Sequence, residues 1–225
     1  MSFEPSSLES DGQVGVRPGL PWERRDDLGL AVGLTRTVVQ VLFSPVMAFR
    51  SMRQSGGWAD PMIFALVVGT VSIWIGQFWG MLVRSLLAAG TGLGTAEAAA
   101  RNAVEVWFAL VAPLIVVVTI ALGAGVAHLL LMLFGGAPRQ FETTVRVFSY
   151  SWAVNLFNVL PICGAFIAVF WGLVVQIIGL HHAQEVPMGR AAAAVLIPVL
   201  LSCFCFFLLL VLVGISSILL GGAQP

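Results

Sequence analysis

The chain has 225 residues, of which 59% are hydrophobic and only 10% charged, with no net charge at pH 7; mean hydropathy is +0.98. Soluble domains carry about a quarter charged residues, so such a surface would not stay in water, and the balanced charge excludes the basic footprint of a nucleic-acid binder. All eleven cations are Arg, and a chain without Lys has no Walker-type phosphate loop, Schiff base or Ser–Lys dyad.

Residues 1–27 are rich in Ser, Gly, Pro and acids and lack the early basic residues and apolar run of a signal peptide. They read as a disordered cytoplasmic tail. Residues 28–57 form an interfacial amphipathic region. Leu28, Ala31, Val32, Thr35, Val38, Val39 and Leu42 recur at helical spacing. Ser44 is placed to cap a second short helix with Pro45 at its first position, where no amide is needed. On that helix Val46, Phe49 and Met52 would face acyl chains while Arg50 and Arg53 reach phosphates. Gly56-Gly57 ends it, and Asp60-Pro61 repeats the cap-plus-proline arrangement, with Trp58 at headgroup depth.

Residues 58–225 read as an all-α, five-helix transmembrane domain. Its apolar stretches are Pro61–Val83, Ala103–Phe134, Val145–Leu160, Ile162–Leu180 and Ala191–Leu220. The third is short. Its sixteen residues reach ~24 Å as an α-helix against a hydrocarbon core of ~30 Å, so the 145–180 hairpin either spans fully or re-enters. An N-terminus inside and a C-terminus outside leaves nine of eleven Arg on the cytoplasmic side, with Arg84 and Arg101 outside. The expected location is a multi-pass position in a membrane, the bacterial cytoplasmic membrane first.

Intramembrane polar groups are costly without partners and are the first place to look for function. Gln77, His128, Asn155, Asn158 and Gln176 qualify. Interhelical hydrogen bonding, ~0.6–2 kcal/mol each, is favoured over a polar path, since no membrane-centre carboxylate is present. His181, His182 and Glu185 have the types and spacing for zinc, but they sit at a helix end beside Arg190, where capping is the commoner role. Neither metal nor cofactor is expected. Gly69, Ser72, Gly76 and Gly80 allow close helix approach; packing within the bundle is favoured, with a homo-oligomer through the Gly76/Gly80 face as the alternative. Pro113 and Pro198 should kink their helices. Cys163, Cys203 and Cys205 read as inert apolar residues. The glycine-rich loop Gly90–Gly94 lacks the strand context of a nucleotide loop, and no catalytic constellation emerges.

In order, the segments LFSPVMAFRSM, GGWADPMIFALVVG and FSYSWAVNLFNVLPICGAFIAVFWGLVVQIIGLHHAQEVPMGRAAAAVLIP resemble the Yip (Ypt/Rab-interacting protein) domain family, particularly its bacterial branch. The resemblance runs from about Val39 to the C-terminus. It rests on Ser44-Pro45, Phe49, Asp60-Pro61, Tyr150, Leu160-Pro161, Gly164, Trp171, Gly179-Leu180, His182 and Arg190-Ala191. It implies five transmembrane helices, a cytoplasmic N-terminus and a short external C-terminus. Eukaryotic relatives act in vesicle trafficking with prenylated Rab GTPases; a bacterial member would have no such partner.

The expected function is a non-enzymatic, membrane-organising or partner-binding scaffold. Its partners would be membrane lipid and an unidentified membrane or cytoplasmic protein. Arg50, Arg53, Arg139, Arg146, His181, His182 and Arg190 are the candidate contact residues. A small-molecule transporter or channel, built on Asn155, Asn158, Gln176 and the proline kinks, is the alternative. A metal-dependent enzyme on His181, His182 and Glu185 is a third.

Overall fold

The computed structural model describes residues 17–91 and 104–221, and every regular element among them is helical. The 1–16 part of the expected tail, the 92–94 part of the glycine loop and Arg101 lie outside the described residues.

A 3-10 turn, Pro21–Arg24, leads into α1 (Arg25–Leu28), α2 (Leu30–Phe43) and α3 (Pro45–Ser51). The membrane-length helices are α4 (Ala59–Thr91), α5 (Ala112–Leu133), α7 (Cys163–Gln184) and α8 (Met188–Gly221). Between α5 and α7 lie α6 (Phe141–Ser151) and a second 3-10 segment, Trp152–Val159. Four helices are therefore long and apolar enough to cross a membrane, with α2 a shorter apolar helix beside them.

The third apolar stretch departs from the expected uniform transmembrane helix. In α6 the polar Thr143, Thr144, Arg146, Ser149 and Ser151 are buried with Val145, Val147 and Tyr150. That segment is wrapped by protein, packing against α4, α5 and α7, so it needs no apolar coat of its own. A turn closes the hairpin: the Cys163 amide donates to the Pro161 carbonyl (2.7 Å) and Ile162 takes a left-handed φ of 67°. A Cβ on Gly164 would run into the Phe157 carbonyl oxygen, so the start of α7 can seat on the 3-10 segment only without a side chain.

The tail expectation is corrected from Arg17 onward. Leu20, Trp22 and Glu23 are buried, because Leu20 and Trp22 join the main core with Phe49, Phe64, Tyr150 and Leu180. Composition alone pointed to disorder; a short apolar anchor, Leu20-Pro21-Trp22, overrides it. The expected cap at Asp60 is also corrected. α4 begins at Ala59, and the Asp60 carboxylate pairs with Arg25 (2.7 Å). Pro45 does sit in the first turn of α3, but Ser44 makes no side-chain cap bond.

Pro113 interrupts its helix at Val111, and α5 restarts at Ala112. Proline has no N–H, so the Ala109 carbonyl loses its helical donor; the Trp74 indole donates to it at 2.9 Å. Trp79, Trp171 and Trp22 likewise donate to the carbonyls of Val159, Leu42 and Asp60. Backbone acceptors without water need such partners.

Among the described residues, the expected Gly76/Gly80 packing face is not used within the chain. Gly76 faces open space and Gly80 lies under the Arg84 guanidinium. Close approach occurs instead at Gly69, against Val116 and Trp152, at Gly123, against Phe148, and at Gly179, against Val147 and Phe49.

Candidate functional site

The segments before α4, between α5 and α6, and between α7 and α8 meet at one end of the bundle. Glu23 is the centre of that end. Its Oε2 accepts from the backbone amides of Leu20 (2.9 Å) and Arg53 (3.1 Å). Its Oε1 accepts from Arg146 (2.8 Å) and the Tyr150 hydroxyl (3.2 Å). Both charged side chains are buried, at 1% exposure for Glu23 and 2% for Arg146. A buried charge is tolerated only when paired and fully hydrogen-bonded, and four donors on one carboxylate meet that condition. Arg146 extends the network: Nε donates to Glu142 (3.0 Å) and Nη2 to the Gly57 carbonyl. The Gly57 amide in turn donates to Glu142 (2.9 Å). Gly57 holds φ at +89°, a conformation that glycine supplies without strain.

A second cluster fastens the other loops. Gln184 donates to Thr144 (2.7 Å) and accepts from the Arg139 amide (3.1 Å). Thr144 Oγ1 also meets His128 Nδ1 at 3.0 Å. Glu185, in a left-handed turn after α7, binds Arg139 (2.7 Å), Arg17 (3.0 Å) and Gln54 (3.0 Å). The Arg139 and Gln54 hydrogen bonds hold its carboxyl below the usual range.

Of the candidate contact residues, Arg50, Arg53, Arg139 and Arg190 are exposed. Arg139 is engaged with Glu185, and the Arg190 guanidinium lies against Gly135. Arg146 is corrected: it faces the protein interior and is closed to lipid or partners. His181 and His182 are half-buried, with the His181 ring against the Val186 carbonyl (2.6 Å). The Glu185 carboxylate is turned to the arginines, and no cluster of three metal-capable side chains forms among the described residues.

The three polar candidates of the membrane interior are not gathered. Asn155 donates to the Trp152 carbonyl of its own turn (3.4 Å). Gln176 lines a lateral cleft of about 230 Å³ whose walls include neither Asn155 nor Asn158. A second cleft, about 640 Å³, lies at the α2–α3 junction between Phe43, Pro45, Met47 and Arg50.

Glu23, Glu142 and Gln184 escaped sequence reading because each belongs to a network made by distant segments. The apolar Leu20-Pro21-Trp22 just before Glu23 is the one local signal that could have marked it. The resemblance positions now have physical roles. Tyr150 is bonded to Glu23 and its ring lies tilted against Phe64, centroids 5.2 Å apart, Trp171 ties α7 to the end of α2, and Gly179 and Gly164 are contact points.

The Yip1 domain profile matches residues 39–212, well over half of the chain, and the chain belongs to the Yip1 domain family. No curated protein matches it, and neither does any solved structure.

Proposed function

We propose that this Yip1-domain membrane protein is a non-enzymatic scaffold whose polar end engages anionic lipid headgroups and a membrane or cytoplasmic protein. One observation carries the reading. Arg17 and Arg139 pair with Glu185, Arg25 with Asp60, and Arg146 with Glu23 and Glu142, whereas Arg24, Arg36, Arg50, Arg53 and Arg190 are exposed without an ion pair among the described residues. Basic residues near an anionic leaflet gain ~1 kcal/mol each. Arg50 also stands at the rim of an apolar cleft, beside the exposed Phe43 and Met47. That pairing of charge and apolar surface suits the junction of headgroup and acyl chain.

The working end is assigned to the cytoplasm on the arginine bias, with the bacterial cytoplasmic membrane as the location. A fifth crossing is supplied by α6 and the following 3-10 segment. Eleven α-helical residues rise ~16 Å and eight 3-10 residues rise ~16 Å. Together they match a ~30 Å core that an α-helix over Val145–Leu160 would not reach. The open space before Gly76 leaves that face to lipid or a second copy. A transporter has less support, since Asn155, Asn158 and Gln176 do not share a path.

Native mass spectrometry from nanodiscs of mixed phosphatidylglycerol and phosphatidylcholine tests the lipid reading. Wild type should retain the anionic lipid preferentially, and Arg50→Gln with Arg53→Gln should cut that preference several-fold. Equal retention of both lipids would sink it. For topology, Cys203→Ala with Cys205→Ala leaves Cys163 at the hairpin turn. An impermeant maleimide should label it from the side opposite the polar end; labelling from the same side would refute the fifth crossing.

A further inference from the structure

Residues 17–28 are laid onto the bundle as a separate piece. The Yip1 profile begins at residue 39, so this arm precedes the family domain, whereas nearly every group that receives it lies inside. The Gly19 amide donates to the Ser51 carbonyl (2.8 Å). The Trp22 indole donates to the Asp60 carbonyl (2.8 Å) while its ring meets Phe64 edge-on, centroids 5.9 Å apart. Glu23 inserts between Arg146 and Tyr150, and Arg25 pairs with Asp60. A buried aromatic anchor beside a charge-assisted pair is how a folded surface recognises a peptide. Among the described residues, Arg146 would keep only Glu142 as its counter-charge if the arm left, so the receptor calls for an occupant of this chemistry.

The arm joins the domain through a hinge of one residue. Only Gly29 separates α1 from α2, at φ 82° and ψ 153°, a conformation open essentially to glycine alone. Helical bonding runs up to it from both sides. The Gly29 amide donates to the Arg25 carbonyl (2.8 Å), and the Gly33 amide donates to the Gly29 carbonyl (2.9 Å). Turning this one residue into the helical region would merge α1 and α2 into a single helix and swing Trp22 and Glu23 off the bundle. Nothing lies within 4 Å of a Cβ built on Gly29, so side-chain packing does not hold the hinge bent.

We infer that the arm exchanges between copies of this chain, residues 17–28 of one copy docking on the receptor of a second. The chemistry commits the occupant: the receptor fits this segment contact by contact, and a second copy carries the identical segment. The same bonds form in trans as in cis, so exchange costs little beyond the hinge. Twelve residues extend to ~40 Å at most, enough to reach the same site on an adjacent bundle. The exchange does not depend on lipid binding by the exposed arginines, and its test reads different residues.

The test co-reconstitutes two differently tagged copies of the full chain in liposomes, both carrying Cys163→Ala, Cys203→Ala and Cys205→Ala. One adds Arg25→Cys and the other Asp60→Cys, and a short bismaleimide bridges thiols that meet. Neither copy holds both thiols, so the expected heterodimer reports an arm docked in trans. Gly29→Ala in the arm copy should raise its yield several-fold, because alanine disfavours the bent hinge and favours the helix. Trp22→Ala with Glu23→Gln in the arm copy should lower it about tenfold. Absence of the heterodimer, when a chain holding both thiols is bridged within itself, would overturn the exchange. So would a yield indifferent to Trp22→Ala with Glu23→Gln, which marks collision instead of docking. The wild-type hinge decides the outcome should Gly29→Ala fold poorly; a folded Gly29→Ala chain with a lower yield would overturn the hinge.

Discussion

The polar end of this molecule and the far half of α8 are held by opposite means. At the polar end, distant loops are fastened by directed bonds onto buried side chains, Glu23 and Arg146 above all. Along the far half of α8, Leu200, Phe204, Phe207 and Leu209 are exposed. Only 6% of the most apolar window of α8 is buried, against 33% for α4 and α7. Lipid is as good a solvent as protein for Leu and Phe, so apolar side chains there give little drive to pack. An unpaired polar group has no such alternative. Stability should therefore concentrate where polar groups are buried, not where apolar ones are most numerous.

That contrast can be broken most forcefully at Arg146. Arg146→Met strands the Glu23 carboxylate in the interior, and breaking a buried pair from one side costs ~3–5 kcal/mol. Thermal unfolding in detergent should fall steeply, and an unchanged transition would show that the network does not hold this end. Next comes Gly164→Ala, which drives a Cβ against the Phe157 carbonyl; forced overpacking costs ~1–3 kcal/mol, read in the same unfolding assay. Trp74→Phe should cost ~1 kcal/mol by leaving the Ala109 carbonyl unpaired. A loss no larger than for a lipid-facing Phe78→Leu control would show that this bond contributes nothing.

A smaller effect is expected from acid. The Glu185 carboxyl is held below its ordinary range by Arg139, Gln54 and Arg17. Its contribution is thus present above the unfolded-state value and is lost as pH falls through the lower folded one. The side chain is 46% exposed, so the change is modest. Glu185→Gln should flatten the acid limb of the stability profile, and an identical limb in both proteins would exclude this contribution. The smallest effect belongs to the far half of α8. Leu209→Ala should leave the unfolding midpoint where it is, whereas a core deletion such as Leu180→Ala should cost ~2–5 kcal/mol. A comparable loss at Leu209 would mean that this face is covered, for instance by a second copy.

Sequence reading reached the membrane class, the all-helical fold, four of its five expected spans as long helices, and the meeting of the arginine-bearing loops. Each rests on composition or local spacing, and these are properties that a chain carries before it folds. It also singled out Tyr150, Trp171, Gly164 and Gly179, though without their roles. It erred where burial is decided by another segment. Arg17 to Asp27 looked disordered until Trp22 found the core, and Arg146 looked like a surface cation until Glu23 covered it.

What the sequence by itself determined is thus the solvent of this protein. Apolar runs of membrane length require a bilayer, and arginines gather at the ends that bilayer leaves wet. Only the tertiary structure decided which polar groups are paired. Glu23 lies 123 residues from Arg146, and no local pattern records such a bond. It exists because a buried charge must be met wherever the fold brings a counter-charge.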